Sequence, residues 1–235
     1  MELFDIDKLK EHEGLAPLVH HYENTEDKSH NIDHISRVLN EAKTLSAKYP
    51  KHVQEGVLYG ALLHDIDREK DHKYNTNVHE ITGAHTAKKY LNDKASHLTY
   101  QQKNDIIDAV RNHRSSTASP NMSLTAKLVS DADRLAVSFE DLAIRPYRYR
   151  LEKGMSEDEA LRDSFWYLRN RKLKTLKTLG KNLHLDESKS LYESKMKEFE
   201  KMTKSFKDYQ KLLGIKTPIE FKTTGRREDY ICQLI

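Results

Sequence analysis

The residues with the clearest capacity for chemistry are a histidine and an aspartate that stand side by side, His64 and Asp65. They end an apolar run whose helical periodicity predicts a buried helix over residues 51–67. A buried carboxylate without a partner is costly. Neighbouring helix residues point roughly 100° apart, which is close to the angle between adjacent ligands of an octahedral metal ion. The pair therefore indicates a divalent cation, with other helices supplying the remaining ligands.

Two further amphipathic segments carry polar residues on their apolar sides. His34 lies beside the apolar stripe of a helix predicted over residues 29–48, and Asp131 lies between inward leucines of a helix predicted over residues 124–139. Asp133 is predicted to point about 160° away from Asp131, toward water or an arginine. We therefore predict four metal ligands: His34, His64, Asp65 and Asp131.

Two imidazoles and two carboxylates form a mixed nitrogen and oxygen ligand set, which suits a divalent cation such as Mn, Mg, Fe, Ni or Co. The competing interpretation is a buried ion-pair cluster without a metal, which would be desolvated with no cation to offset the cost. His30 stands four residues before His34 and shares its helix face. We expect His30 to support the ligands or to lie at the surface.

The composition favours an all-α fold. The chain has 235 residues with 8 glycines and 5 prolines, and runs of β-branched residues are nearly absent. Two sequence patterns, Thr99 with Gln102 and Ser156 with Glu159, match helix capping boxes. We predict a metal-binding helical core over residues 1–140, a helical extension over 141–213 and an irregular tail over 214–235.

Three further stretches are rich in charged residues. Residues 67–77 are predicted to form a loop, and residues 144–150 a basic, aromatic turn. Residues 186–213 are predicted to form one long, highly charged helix.

Charge and hydropathy limit the partners that we expect. The net charge of +3 is too balanced to argue for nucleic acid. No apolar stretch reaches about 18 residues, so no membrane span is expected. A single cysteine and an acidic start without an apolar segment fit a cytoplasmic protein. The oligomeric state stays open, with a homodimer as one option.

Three motifs together resemble the HD-domain metal-dependent phosphohydrolase superfamily. Residues 27–38 are similar to its first-histidine helix, residues 61–66 to its His-Asp signature and residues 129–135 to its closing aspartate motif. The resemblance implies an all-α, HD-domain-like helical bundle with a helical C-terminal extension. It also implies an enzyme that hydrolyses a phosphate ester or anhydride. Small members that act on nucleotides look nearest, so we expect a small phosphorylated substrate such as a nucleotide, with phosphatase or pyrophosphohydrolase activity.

The resemblance also assigns roles to residues outside the ligand set. His79 and His113 stand where two-metal members carry extra ligands and where histidines of one-metal members meet the phosphate. Asp67 and Arg68 follow the His-Asp unit, where the family often has Gly-Lys. We expect a metal-bound hydroxide to attack phosphorus, with Asp67 or His79 taking a proton. Arg68 and His113 would hold phosphate charge.

The remaining candidates are basic or aromatic residues predicted to bind substrate: Lys73, Arg114, Tyr147, Arg148 and Arg150. For Asp67, Arg68 and Lys73 a solvated loop competes with phosphate contact. For His79 and His113 an ordinary hydrogen-bonded histidine or a helix C-cap competes with a role in the site. For residues 147–150 a surface turn competes with capping of a base or distal phosphate. Two other functions stay open: a two-metal phosphodiesterase that uses His79 and His113, and a non-catalytic regulatory module that binds nucleotides.

Overall fold

The computed structural model describes residues 4–27, 30–114 and 119–215, leaving aside the side chain of His72. These residues form helices joined by short turns and contain no β-strand, which confirms the predicted all-α fold. They divide into two compact units. The first is Met1–Ala136 with Leu183–Ser188, and the second is Val137–Asn182 with Lys189–Ile235.

The first unit holds the helices that carry the candidate ligands. They are α1 (Ile6–Glu11), α2 (Ala16–Glu23), α3 (Ile32–Ser46), α4 (Lys51–Leu63), α5 (Arg68–Tyr74), α6 (His79–Lys94), α7 (Tyr100–Asn112) and α8 (Leu124–Leu135).

The second unit begins with α9 (Phe139–Glu152) and α10 (Glu157–Tyr167). A π-helical turn, Leu168–Lys172, leads into α11 (Leu173–Lys181). The chain then contributes residues 183–188 to the first unit, including the start of α12 (Asp186–Met202), and ends its described part with α13 (Phe206–Leu212).

Side-chain caps fix where several helices begin. The capping boxes predicted at Thr99 and Ser156 are both confirmed, at the starts of α7 and α10. At the start of α3, the Asn31 side chain accepts hydrogen bonds from the backbone N–H groups of Asp33 and His34. This cap satisfies two donors that a helix start leaves unpaired, and it places His34 in the first turn of α3.

The helix α4 is the centre of the first unit and packs against α3, α7 and α8. Its residues 56–63 are all buried. Close packing requires a glycine at position 60, because a Cβ atom there would lie 2.7 Å from Val129 Cγ2 of α8 and 3.4 Å from Ala109 Cβ of α7. The helix ends at Leu63, earlier than predicted, so the His-Asp pair lies in the turn that follows it.

Charged helices account for two errors of the sequence-based assignment. Residues 68–74 form α5 instead of a loop. Ion pairs join Arg68 to Asp71 and Lys70 to Asp67, and the segment has no apolar stripe for periodicity to detect. Asn75 ends α5 in the left-handed conformation, with a φ of 50°. The region predicted as one helix over residues 186–213 is interrupted before Ser205, whose side chain caps α13.

The predicted turn over residues 144–150 lies inside α9. Pro146 lies inside this helix, although proline removes a backbone donor and disfavours a helix interior. The structure nevertheless accommodates it within a 14-residue helix.

The predicted segments 1–140, 141–213 and 214–235 stay a prediction. They did not anticipate that residues 183–188 belong with the first unit. Most of the predicted tail, residues 216–235, lies outside the described part of the chain. Among the described helices, none is long and apolar enough to span a lipid bilayer.

We expect the Gly60→Ala variant to lower the free energy of unfolding. Overpacking a core costs about 1–3 kcal/mol, and Val129 has little freedom to move aside because a β-branched residue in a helix has one strongly preferred rotamer. This cost opposes a helix-propensity gain of about 1 kcal/mol. Chemical denaturation measures the difference.

The matched control is Gly56→Ala on the same helix. A Cβ atom at position 56 would lie 3.4 Å from Thr125 Oγ1 and 3.6 Å from Thr125 Cγ2, so the propensity gain should dominate and the variant should be as stable as the parent or more so. Equal stability of the two variants would contradict the close approach at position 60.

Candidate metal centre

Two pairs of histidines face the buried carboxylate of Asp65, one pair on each oxygen. Oδ2 lies 3.3 Å from His64 Nε2 and 3.9 Å from His34 Nε2. Oδ1 lies 3.2 Å from His79 Nε2 and 3.4 Å from His113 Nε2. The two oxygens of one carboxylate are therefore shared between two groups of imidazoles.

Each group is compact enough to hold a cation. The ligand atoms of His34, His64 and Asp65 lie within 4.8 Å of one another, and so do those of Asp65, His79 and His113. Imidazole nitrogens and carboxylate oxygens are ligands that divalent transition metals accept. Asp65 belongs to both groups.

Two of the histidines are oriented by the backbone of their own helices. His64 follows α4 and its Nδ1 lies 2.8 Å from the Ala61 carbonyl oxygen. His113 follows α7 and its Nδ1 lies 2.7 Å from the Val110 carbonyl oxygen. A carbonyl can only accept, so each Nδ1–H donates and each Nε2 keeps its lone pair. This tautomer presents Nε2 as a metal ligand.

His79, the first residue of α6, is oriented by a carboxylate instead. Its Nδ1 lies 2.6 Å from Asp71 Oδ2. Asp71 also accepts hydrogen bonds from the Thr76 hydroxyl and from the backbone N–H groups of Val78 and His79. Burial alone would raise the pKa of Asp71, but these donors hold the pKa well below its usual range. Sequence reasoning missed Asp71 because it lies in the stretch assigned to a loop.

The carboxylate that closes the first group is Asp133, not Asp131. Asp133 Oδ1 lies 3.3 Å from His34 Nε2 and 3.7 Å from His64 Nε2. Burial alone would raise the pKa of Asp133, but the two histidines hold that pKa below its usual range. We therefore reassign the predicted fourth ligand from Asp131 to Asp133.

Asp131 is fully buried on a different face of α8. Its carboxylate accepts the backbone N–H of His184 at 2.9 Å and that of Leu185 at 2.9 Å, and it lies 3.5 Å from an Arg134 nitrogen. The prediction correctly placed Asp131 in the interior. The prediction did not place Asp131 on the correct face, because α8 is buried on more than one face. An inward orientation alone therefore does not identify the residue that lies beside the histidines.

The unsatisfied atoms at this centre fit a metal ion. The Nε2 atoms of His34 and His64 are buried and make no hydrogen bond with the described residues, and an unsatisfied buried polar group costs about 1–3 kcal/mol. Burial alone would lower the pKa of His64, but Asp65 and Asp133 raise it well above its usual value. The raised pKa means that, without a metal, His64 tends to carry a proton on Nε2. A bound cation would replace this proton and satisfy the Nε2 atoms of His34 and His64, so metal binding should strengthen as pH rises.

One comparison with known proteins identifies a domain within the chain. Residues 31–138 match the family model described as the HD domain. This segment is an HD domain. The match supports the resemblance of the three motifs to the metal-dependent phosphohydrolase superfamily. The matched range includes every residue of the two groups and Asp133. Searches of curated proteins and of solved structures returned no match.

Within the HD domain, the two residues after the His-Asp turn differ in their surroundings. Asp67 is buried and accepts hydrogen bonds from Lys70 Nζ at 2.6 Å and from Thr86 Oγ1 at 3.0 Å. The two carboxylate oxygens thus hold α5 against α6. These contacts favour a structural role for Asp67 over the predicted role of proton acceptor. Arg68, in contrast, places one guanidinium nitrogen 3.0 Å from His79 Nδ1.

Two other predicted substrate-binding residues of the HD domain lie at its surface. Arg114 follows His113 and donates to Asn77 Oδ1 at 2.8 Å and to Glu80 Oε2 at 3.3 Å. Lys73 is exposed, with its Nζ 5.6 Å from the centre of the Tyr74 ring. Contact of either residue with substrate stays a prediction.

The three remaining candidates lie on α9 in the second unit. The Tyr147 hydroxyl lies 3.2 Å from Glu157 Oε1. Arg150 bonds to Asp163 and donates to the Pro146 carbonyl at 2.9 Å, whereas Arg148 is exposed. These contacts explain how Tyr147 and Arg150 are held in their own unit. The predicted binding of a base or distal phosphate stays a prediction.

Replacing each of the two aspartates of α8 in turn distinguishes a candidate metal ligand from a structural carboxylate. We expect Asp133→Asn to weaken manganese affinity by at least about tenfold, because the histidines lose their carboxylate partner, while the free energy of unfolding changes little. Asp131→Asn should lower that free energy by about 1–3 kcal/mol and leave the metal content of the folded protein unchanged. Metal analysis and denaturation of both variants provide the test, and the reverse pattern would restore Asp131 as the ligand.

The support of His79 by Asp71 gives a second test. In Asp71→Asn, an amide group replaces the oxygen that accepts the His79 proton, so we expect metal affinity at the His79 group to fall about 10–100-fold. Thr76→Val is the control, since it removes only the hydroxyl that donates to the other oxygen, Oδ1. If both variants bound metal equally weakly, Asp71 would act through the α5–α6 connection and not through the imidazole.

Proposed function

We propose that the HD domain is a two-metal phosphohydrolase that cleaves a phosphate ester of a nucleotide or similar small molecule. The single observation that carries this proposal is the position of Asp65 between two groups of histidines. In two-metal hydrolases the ions lie about 3.5–4 Å apart, a separation that one carboxylate can bridge. This proposal replaces the single-cation arrangement expected from the sequence.

The residues divide between the two ions according to the distances around Asp65. His34, His64 and Asp133 would complete the ligands of one ion, and His79 and His113 those of the other. When bound, divalent cations at such a centre activate water and neutralise charge on the phosphoryl oxygens.

The protein's own residues would then bind and orient the phosphoryl group. Arg68 and Arg114 lie near the His79 group, through contacts with His79 and with Glu80. The buried Nε of Arg68 makes no hydrogen bond with the described residues, so it is available as a donor. A guanidinium presents several donors in a fixed plane and suits phosphate oxygens.

The same geometry gives the histidines a positioning role. The backbone carbonyls that hold His64 and His113, and the carboxylate that holds His79, fix three ring orientations before any substrate binds. Pre-organised ligands of this kind avoid reorganisation during the reaction.

Metal content and hydrolysis measured on the same samples test the proposal. Chelator-treated protein that is reloaded with Mn, Mg, Fe, Ni or Co should bind about two ions per chain and release phosphate from members of a nucleotide panel. Asp65→Ala should lose both ions and all turnover while its far-UV circular dichroism stays close to that of the parent. One ion in the parent, or turnover in Asp65→Ala, would count against it.

Two histidines of α6 provide a matched pair for the same assay. His79→Ala should reduce the metal content to about one ion, because it removes a ligand of only one group. His85→Ala, at an exposed position of the same helix, should keep both ions and full activity. Nucleotide binding without hydrolysis in the loaded parent would instead support the regulatory module.

A further inference from the structure

A cleft of about 930 Å³ lies in the first unit, and none of the metal-centre residues lines it. One wall comes from the end of α2 and the turn after it, with His21, Glu26 and Asp27. The other comes from residues 66–74, including Ile66 and Tyr74. The volume falls within the range of about 300–1,000 Å³ that is usual for small-molecule sites.

Two observations place this cleft near the metal centre. Ile66, in its wall, directly follows Asp65 in the chain. Asp27, in the opposite wall, lies 2.8 Å from His30 Nδ1, and His30 Nε2 lies 4.0 Å from Asp65 Oδ2. One imidazole therefore separates the cleft wall from the central carboxylate. A molecule whose phosphate group reaches the centre could place its remaining part in the cleft.

The wall offers a surface for a flat ring. Tyr74 is 64% exposed, so its ring is accessible to a ligand that enters the cleft. It lies at the end of α5, and Ile66 adds an apolar side chain. Aromatic side chains stack on nucleobases with little dependence on the base.

The charges in the wall limit what else can enter. Glu26 and Glu69 line the cleft with Asp27, and carboxylates accept hydrogen bonds from hydroxyl and amino groups but repel phosphate. Of the two lysines in the wall, Lys70 bonds to Asp67 at 2.6 Å, which leaves Lys73 as the cation nearest the Tyr74 ring. This lining suits an uncharged ring with hydroxyl groups better than a polyphosphate chain.

We infer that the cleft is a binding site for an uncharged, hydroxyl-bearing ring system such as a nucleoside, with Tyr74 as the stacking residue. For the attached phosphate group, the inference rests on the proposed function. The two together narrow the substrate class to phosphate monoesters of hydroxyl-bearing ring systems. Binding of the unphosphorylated ring system requires no metal and no turnover, so it can be tested independently.

The test measures binding of free nucleosides to metal-depleted protein by ligand-observed NMR and calorimetry. Purine and pyrimidine nucleosides should bind the parent, and Tyr74→Ala should weaken that affinity about tenfold or more. Tyr74→Phe should retain it, because the ring is kept. Tyr100→Ala is the control, since Tyr100 is 82% exposed at the start of α7 and does not line the cleft.

Two outcomes would overturn the inference. One is the absence of nucleoside binding to the parent at millimolar concentration, and the other is equal binding to the parent and Tyr74→Ala. Either outcome leaves the proposed function intact if the loaded protein binds two ions and hydrolyses a phosphate ester. Nucleoside binding that depends on Tyr74 in a protein that binds no metal would support the cleft and remove the proposed function.

Discussion

A buried carboxylate is tolerated only where donors or cations meet its charge, and Asp65 is only 5% exposed in the middle of the first unit. Its partners come from the start of α3 and α6 and from the ends of α4 and α7. Each of these ends must therefore reach the same point, and the lengths and caps of the helices are constrained together. The absence of a side chain at Gly60 lets α4 approach α7 and α8 closely enough for this convergence.

The two groups of ligands differ in how firmly the fold holds them. In the first group, His64 is tied to a carbonyl of the buried end of α4, and His34 is set by the Asn31 cap. In the second, His79 depends on Asp71, which belongs to the short helix α5 and also binds the turn that follows it. Local opening of a structure tends to involve short, exposed segments. Occupancy of the second group should therefore respond to α5 more than occupancy of the first does.

Local patterns in the sequence were sufficient for the all-α class, for both capping boxes and for His34, His64 and Asp65 as neighbours. They failed where the deciding fact is the arrangement of helices. Helical spacing identified Asp131 as buried, but only the packing of α8 shows that Asp133 is the residue beside His34. The helix α5 was missed because its residues are almost all polar or charged and leave no apolar period. Asp71 could have been proposed as a partner of His79 had that helix been recognised.

The hydrogen bonds of Asp131 also explain why the compact unit extends beyond the HD-domain match. The match ends at residue 138, yet residues 183–188 pack with the first unit. Their backbone N–H groups, at His184 and Leu185, are the donors that satisfy the Asp131 carboxylate. A fragment that ended with the match would leave this buried charge without those donors, at a cost of several kcal/mol. Asp133 lies on the same helix, so residues 183–188 also help to hold the helix that carries this candidate metal ligand.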